Sequence, residues 1–455
     1  MSIMDAPTMP SLWFAQALLP QGWARDVRIT IAAGHIQTVT PGAAPAGADI
    51  HAIGLPGLAN VHSHAFQRGM AGLAEHRGGA AEENFWSWRE VMYRFLDRMD
   101  PDDMQAIAAQ AYMEMLESGF TRVGEFHYLH HDAAGVAYAN PAEMAERIAA
   151  AAAQTGIGLT LLPVFYAHAN FGAVPPAHGQ RRFITGMDQF QRLWEASRAA
   201  LAHLPDATIG VAPHSLRAAT IAEISALIGD FPIHIHVAEQ QQEVADGLAF
   251  SGRRPVDYLL DEAPVDHRWC LIHATHMTPA ETRRLAATGA VAGLCPITEA
   301  NLGDGIFPAR DFIAAGGTFG IGTDSNVLID AAQELRQLEY AARLAARARN
   351  VLADQSSTGA ALFSRGLAGG AQALGQAKSG LSAGAAADII SLNPSHPALL
   401  SRAGNALTDG WIFAARDSAI DCVWRHGEKC VSGGRHLARE TVGAAYQSAL
   451  RRLLG

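Results

Sequence analysis

The run LANVHSHAFQRGM, residues 58–70, ends an apolar stretch on two histidines separated by one serine. On a strand, alternate side chains share a face, so His62 and His64 project together with Cα atoms roughly 6.6 Å apart, a spacing suited to gripping one metal ion. A single histidine is more often a hydrogen-bonded core residue. A pair on one face, with further histidines at other strand ends, favours the metal. In HIHVAE, His234 and His236 share a face and Glu239 follows just past the strand end. His236, nearer the C-terminal end, is the ligand candidate, and His234 is given a structural role. A glutamate in a loop is usually solvated, but one beside a ligand suits a proton shuttle. CLIHATHM adds His273 as a site candidate and His276, assigned to the following loop. GIGTDSN sets Asp324 behind small residues; a buried lone carboxylate needs a partner, and a metal supplies one. Such a set would surround one metal ion, with a carboxylate beside it to move protons.

Eight short apolar runs bounded by turn residues must position these side chains: LANVHSH, RVGEFHY, GLTLLPVF, IGVAPHS, PIHIHVAE, CLIHATH, AVAGLCPI and FGIGTDS. Intervening segments such as DDMQAIAAQAYMEMLESG and AEMAERIAAAAAQTG have apolar residues at helical spacing and close on Gly119 or Gly156. Strand alternating with helix predicts a parallel sheet. Eight such units over roughly 270 residues suit a closed (β/α)₈ barrel or an open doubly wound sheet. Only closure sets the first and eighth strands side by side, so the barrel is the reading under which these polar residues meet. Residues 1–55 and 378–455 differ, with β-like runs such as DVRITIAAGHIQTV, ADIISLN and DCVWRHGEKCV, the last a hairpin around His426 and Gly427. The expected class is α/β: a (β/α)₈ TIM barrel over residues 56–377, with a small β-sandwich built from 1–55 and 378–455.

Of the 455 residues, 49% are apolar and 17% charged, and no apolar run is long enough to span a bilayer. A formal charge of −10 argues against nucleic acid as a partner, because phosphate binding needs a concentrated basic face. No basic stretch precedes an apolar one at the N-terminus, so no secretory signal is expected. Cys270, Cys295, Cys422 and Cys430 lack zinc-finger or CxxC spacing, which fits a reducing compartment and makes cytoplasm the expected location. Anions must be held by local cations, and these are arginines apart from Lys378 and Lys429.

HxH after the first strand, His-x-x-Glu after the fifth, His after the sixth and TDS after the eighth together resemble the amidohydrolase superfamily over nearly the whole chain. Within it, HSHAFQRGMAG, FWSWRE, APHSLR, HIHVAEQ and CPITEANLGDG are similar to the formimidoylglutamate deiminase family of histidine degradation. Many members of the superfamily hold two metals bridged by a carboxylated lysine after the fourth strand. No lysine precedes Lys378 here. The resemblance therefore implies one divalent ion, zinc by its donor set, on His62, His64, His236 and Asp324.

It further implies hydrolytic deimination of N-formimidoyl-L-glutamate to N-formyl-L-glutamate and ammonia. Glu239 would move protons, Asp324 accept the water proton, and His273 orient the nucleophile or stabilise charge. Gln67, Arg89, Tyr128, His214 and Arg217 are the implied substrate contacts. Arginines also suit a dianionic substrate on chemical grounds, since each grips a carboxylate bidentately. Glu299 and Asn301, after the seventh strand, stand as further candidates. One alternative is a deaminase or chlorohydrolase of the same fold acting on a guanine-like aromatic heterocycle; another is a non-catalytic barrel serving as a binding module. A homodimer is expected by family analogy.

Overall fold

Leu58–Ser63, Phe120–His127 and Gly158–Phe165 are buried at every position, as are the shorter Ile233–Val237, Trp269–His273 and Val291–Leu294. Strands covered on both faces pair in parallel beneath a layer of helices. The computed structural model, which describes residues 11–75, 85–353 and 357–455, has that arrangement. Thr318–Ile321 is the eighth strand, and the fourth comes in two pieces, Thr208–Ile209 and Ala212–Pro213. The hydrogen-bonded order runs fifth, sixth, seventh, eighth, first, second, third, fourth. Bridges from Val211 to Ile233 and from Ser215 to His236 then join the fourth strand to the fifth. The sheet is closed, and each of the eight runs read as strands from the sequence contributes one stave.

The outer helices start and stop where local chemistry dictates. Pro101–Ser118 opens on a capping box between Asp100 and Asp103 and ends at Gly119, whose φ of 104° suits glycine. Glu143–Thr155, which contains the alanine-rich stretch, ends at Gly156 with φ 78°. Thr358–Ala373 packs on the eighth and first strands and can approach them because it presents glycines. A Cβ on Gly369 would collide with the Phe319 carbonyl, and one on Gly370 would lie 3.1 Å from the Ala59 Cβ.

Both ends of the chain build the second sheet. Its order is Arg435–His436, Glu428–Ser432, Ile420–Arg425, Ile389–Leu392, Asp49–Pro56, Ser11–Leu19, Gly22–Ala32, His35–Thr40. Neighbours are antiparallel except Ser11–Leu19 beside Asp49–Pro56. The small sandwich expected from the termini takes the form of this sheet around its own core, which includes Phe14, Ile29, Ile389 and Trp424. Its predicted hairpin is present, with positive φ at His426 (51°) and Gly427 (81°), as a two-residue I′ turn requires. Pro56 leads through Gly57 directly into Leu58, so this sheet delivers the chain to the first barrel strand. Buried Arg122 of the barrel and Arg425 of the sheet share the carboxylate of Asp206. Helices Asn405–Ala414 and Arg439–Leu454, also from the C-terminal segment, pack on barrel helices instead. Among the described residues no helix is long and apolar enough to cross a membrane.

Gly369→Ala is expected to cost about 1–3 kcal/mol, the usual penalty for overpacking, read as a lowered urea midpoint at unchanged slope. Gly366→Ala serves as its control. A Cβ there meets only the Leu335 Cδ2 at 3.5 Å, so the better helix former should leave stability unchanged or raise it.

Candidate metal centre and active site

His62 and His64 close the first strand, His236 lies near the end of the fifth and Asp324 follows the eighth, all at the C-terminal mouth of the barrel. The His62 Nε2 lies 3.2 Å from His64 Nε2 and 3.1 Å from His236 Nε2. Asp324 Oδ1 stands 3.4 Å from the first of these nitrogens and 3.3 Å from the second. One atom from each residue thus falls within 4.8 Å of all the others. Ligands bound tetrahedrally at ~2.0–2.1 Å are separated by roughly 3.3–3.4 Å, so the spacing is that of a coordination shell.

The donor chemistry agrees. His64 Nδ1 lies 2.9 Å from the Phe126 carbonyl and His236 Nδ1 3.0 Å from the His214 carbonyl. With those nitrogens donating, each Nε2 keeps its lone pair and turns it inward. Burial keeps the rings neutral, pulling His62 down to about 3 with help from its neighbour His64 and lowering His64 and His236 as well. Burial alone would push Asp324 up, but the surrounding imidazoles outweigh it and hold the group as a carboxylate.

Beside this cluster lies a chain of acids and one cation. His273 Nε2 is 3.7 Å from Glu239 Oε1 and 3.8 Å from Asp324 Oδ2, while its Nδ1 is 3.3 Å from Glu299 Oε1. Burial pulls His273 down, yet Glu239, Glu299 and Asp324 raise it to about 10, so it stands as an imidazolium. Glu239 is pushed up to about 7 by burial, against the opposing pull of His273 and Arg217. A carboxyl poised there can give and take a proton at neutral pH.

Holding these groups strains the backbone. Ala238, His273, Ala274, Asp324 and Asn326 all have φ between 45° and 65°, a conformation that costs of order 1–3 kcal/mol each unless the surroundings impose it. The surroundings do so. Glu243 accepts hydrogen bonds from the amides of Ala238 (3.1 Å) and Glu239 (3.2 Å). Asn326 Nδ2 donates to Ser63 Oγ, the His64 carbonyl and the Asp324 carbonyl, each at 3.1 Å. Asn60 donates to Thr323 Oγ1 at 2.7 Å and accepts from the Thr323 amide at 3.1 Å.

Gln67, Arg89, Tyr128, His214 and Arg217 line one cavity together with His64, His236, Glu239 and Asp324. Gln67 Nε2 donates to Tyr128 Oη at 2.9 Å. His214 stacks obliquely against Tyr166, ring centres 4.5 Å apart. The buried Arg217 guanidinium faces Glu239 Oε2 and Glu243 Oε2, each at 3.8 Å. Arg89 lies over the Trp86 ring at 4.4 Å. His234 turns away, its Nε2 2.9 Å from the Ala373 carbonyl. Asn301 donates to Glu75 at 2.6 Å and does not line the cavity, whereas Glu299 reaches the site through His273. Sequence reading did not name Asn60, Glu243 and Asn326, nor the cavity-lining Tyr93 and Tyr166.

Residues 53–430 match the amidohydrolase family, and residues 11–51 match the N-terminal domain of formimidoylglutamate deiminase HutF. The chain is 49% identical over 454 residues, 98% of its length and 100% of the relative's, to formimidoylglutamate deiminase of Pseudomonas aeruginosa. With 8-oxoguanine deaminase of the same organism it shares 29% identity over 318 residues, 68% of each chain. The crystal structure of an amidohydrolase from Brucella melitensis superposes with a TM-score of 0.96 at 54% identity, covering 98% of this chain and 100% of that one. A zinc-bound adenosine deaminase from Xanthomonas campestris shares the fold, with a TM-score of 0.81 at 22% identity over 98% of both chains.

His236→Ala should lower bound divalent metal from one equivalent at this centre to a small fraction, measured by elemental analysis after dialysis against a weak chelator. His234→Ala, which removes a ring outside the cluster, should leave this centre loaded.

Proposed function

The chain belongs to the amidohydrolase family, and on that footing we propose that it hydrolyses N-formimidoyl-L-glutamate to N-formyl-L-glutamate and ammonia, a step of histidine degradation. The observation that carries the reading is a single cavity lined both by neutral imidazoles and carboxylates and by two arginines, buried Arg217 and Arg89. The substrate has matching ends, an amidine and two carboxylates. Near-full-length similarity to a formimidoylglutamate deiminase supports the same substrate.

Members of the family are metal-dependent. His62, His64, His236 and Asp324 would hold one divalent ion, zinc by the preference of a nitrogen-rich, partly carboxylate donor set. When bound, such an ion lowers the pKa of a water toward ~7 and so supplies a nucleophile at neutral pH. Asp324 Oδ2, turned toward His273, would hold the proton that the nucleophilic water gives up. Glu239 protonates the imine nitrogen, which weakens the C–N bond, and then passes the second proton to the departing amine. The His273 imidazolium steadies negative charge on the substrate carbon's new oxygen. Arg217 and Arg89 grip the carboxylates, with Gln67, Tyr128 and His214 shaping the space between. Water and amidine thus become amide and ammonia with no redox change.

The same reading extends to the whole chain: a catalytic barrel over residues 56–377, a terminal β unit from 1–55 and 378–455, a cytoplasmic location and a homodimer.

Ammonia release should be rapid with formimidoylglutamate and absent with guanine; the reverse would assign the cavity to a heterocycle. Arg217→Ala should raise KM roughly 10- to 150-fold, the worth of charged hydrogen bonds of about 1.5–3 kcal/mol, at unchanged metal content. Glu239→Gln should instead lower kcat by roughly 10²–10⁴-fold, the range for a lost general acid, again with metal retained.

A further inference from the structure

A second cluster of metal-ligating side chains lies in the terminal sheet, outside the barrel. His51 on Asp49–Pro56 meets Asp421 and Cys422 on Ile420–Arg425, and one donor atom from each falls within 4.8 Å of the other two. His51 Nδ1 is 3.7 Å from Asp421 Oδ2, and Cys422 Sγ is 3.6 Å from the same oxygen. Tetrahedral zinc with bonds of ~2.0–2.3 Å keeps its ligands roughly 3.3–3.8 Å apart, so both spacings already suit one ion.

The ring is built in rather than loosely placed. Only 9% of the His51 side chain is exposed. Trp424 meets it edge to face at 4.7 Å, and Phe14 lies 5.8 Å away. Its other nitrogen, Nε2, lies 3.2 Å from Asp49 Oδ2, an ion-pair distance that places a carboxylate behind the ring, where metal-binding histidines commonly have one. Lys429 holds that same Asp49 oxygen at 2.8 Å. Asp49 is thereby compensated by a cation and stays behind the ring, leaving Asp421 and Cys422 to face an ion. The charges close: a thiolate and one carboxylate balance a divalent cation, and Asp49 balances Lys429. Asp421 and Asp49 are both partly exposed, which gives an ion a way in, while Cys422 is buried.

We propose that His51, Asp421 and Cys422 form a structural site for a thiophilic divalent ion, zinc by softness and geometry, with water as its fourth ligand. Binding releases the Cys422 thiol proton and forms the sulfur–metal bond, with no change of oxidation state. The ion ties a strand of the N-terminal segment to one of the C-terminal segment across the intervening Ile389–Leu392.

Cobalt loading of the whole protein tests this, because the four barrel ligands are nitrogen and oxygen, and Cys422→Ser separates a band at this site from one at Cys295, the thiol beside His273 and Asp324. After chelation and reloading, wild type should bind two cobalt ions per chain and show a near-ultraviolet sulfur-to-cobalt charge-transfer band. Cys422→Ser and His51→Gln should each bind one ion and lose the band while ammonia release stays at the wild-type rate. Asp49→Asn should keep the band but weaken this site by roughly 10–100-fold. One ion per chain and no band in wild type overturns the proposal, as does a band that survives Cys422→Ser. If one variant does not fold, the stoichiometry and spectrum of the other decide the matter.

Discussion

Three imidazole nitrogens held 3.1–3.2 Å from their neighbours in a buried mouth are tolerable only if the rings are neutral and a cation shares their lone pairs. Everything around them serves that crowding. Two of the rings come from the first strand, and the carboxylate that completes the set follows the eighth, so the seam between these strands must not slip. Asn60 and Asn326 lace it, binding Thr323 on one side and Ser63, His64 and Asp324 on the other. Gly322 lets the strands come this close, since a Cβ there would lie 2.8 Å from the backbone nitrogen and oxygen of His62. Barrel closure makes the seam possible, because in an open sheet the first and last strands have no reason to be neighbours.

The eight strands were readable because burial on both faces leaves near-continuous apolar runs, and their polar ends stood out against that background. His62, His64, His236 and Asp324 are conspicuous for the same reason: ionisable side chains where an apolar run stops. The residues that hold them were not. Asn60 sits inside LAN and reads as any polar interruption, while the residue it laces to, Thr323, is 263 positions away. Glu243 lies in a helix that presents another acid and glutamines, and nothing in its spacing says that its carboxylate caps the amides of strained Ala238 and of Glu239. Tyr93 and Tyr166 read as core aromatics; only the three-dimensional arrangement turns them toward the cavity. Chemistry-bearing ligands thus announce themselves locally, and their scaffolding, which acts through long-range hydrogen bonds, does not.

The second sheet poses the opposite problem. Its runs alternate weakly and its Gly turns are plentiful, so the sequence shows that β structure is present without showing that Asp49–Pro56 and Ile389–Leu392 would pair. That pairing matters to the barrel, because Asp49–Pro56 fixes where Leu58 begins and hence how far His62 rises along the first strand. Register set in the terminal sheet is inherited at the mouth.

Arg217 lines the same cavity as the acid beside it. Its guanidinium faces Glu239 and Glu243, and its charge is one of the influences holding Glu239 down against the effect of burial. Under the proposed reaction, a substrate carboxylate that arrives at Arg217 neutralises much of that field. Glu239 then loses part of its reason to stay ionised, just as an imine nitrogen that needs a proton comes within reach. On that proposal the arginine that would select a dianion would also arm the acid, and a neutral heterocycle of the same size would fill the space without triggering that change.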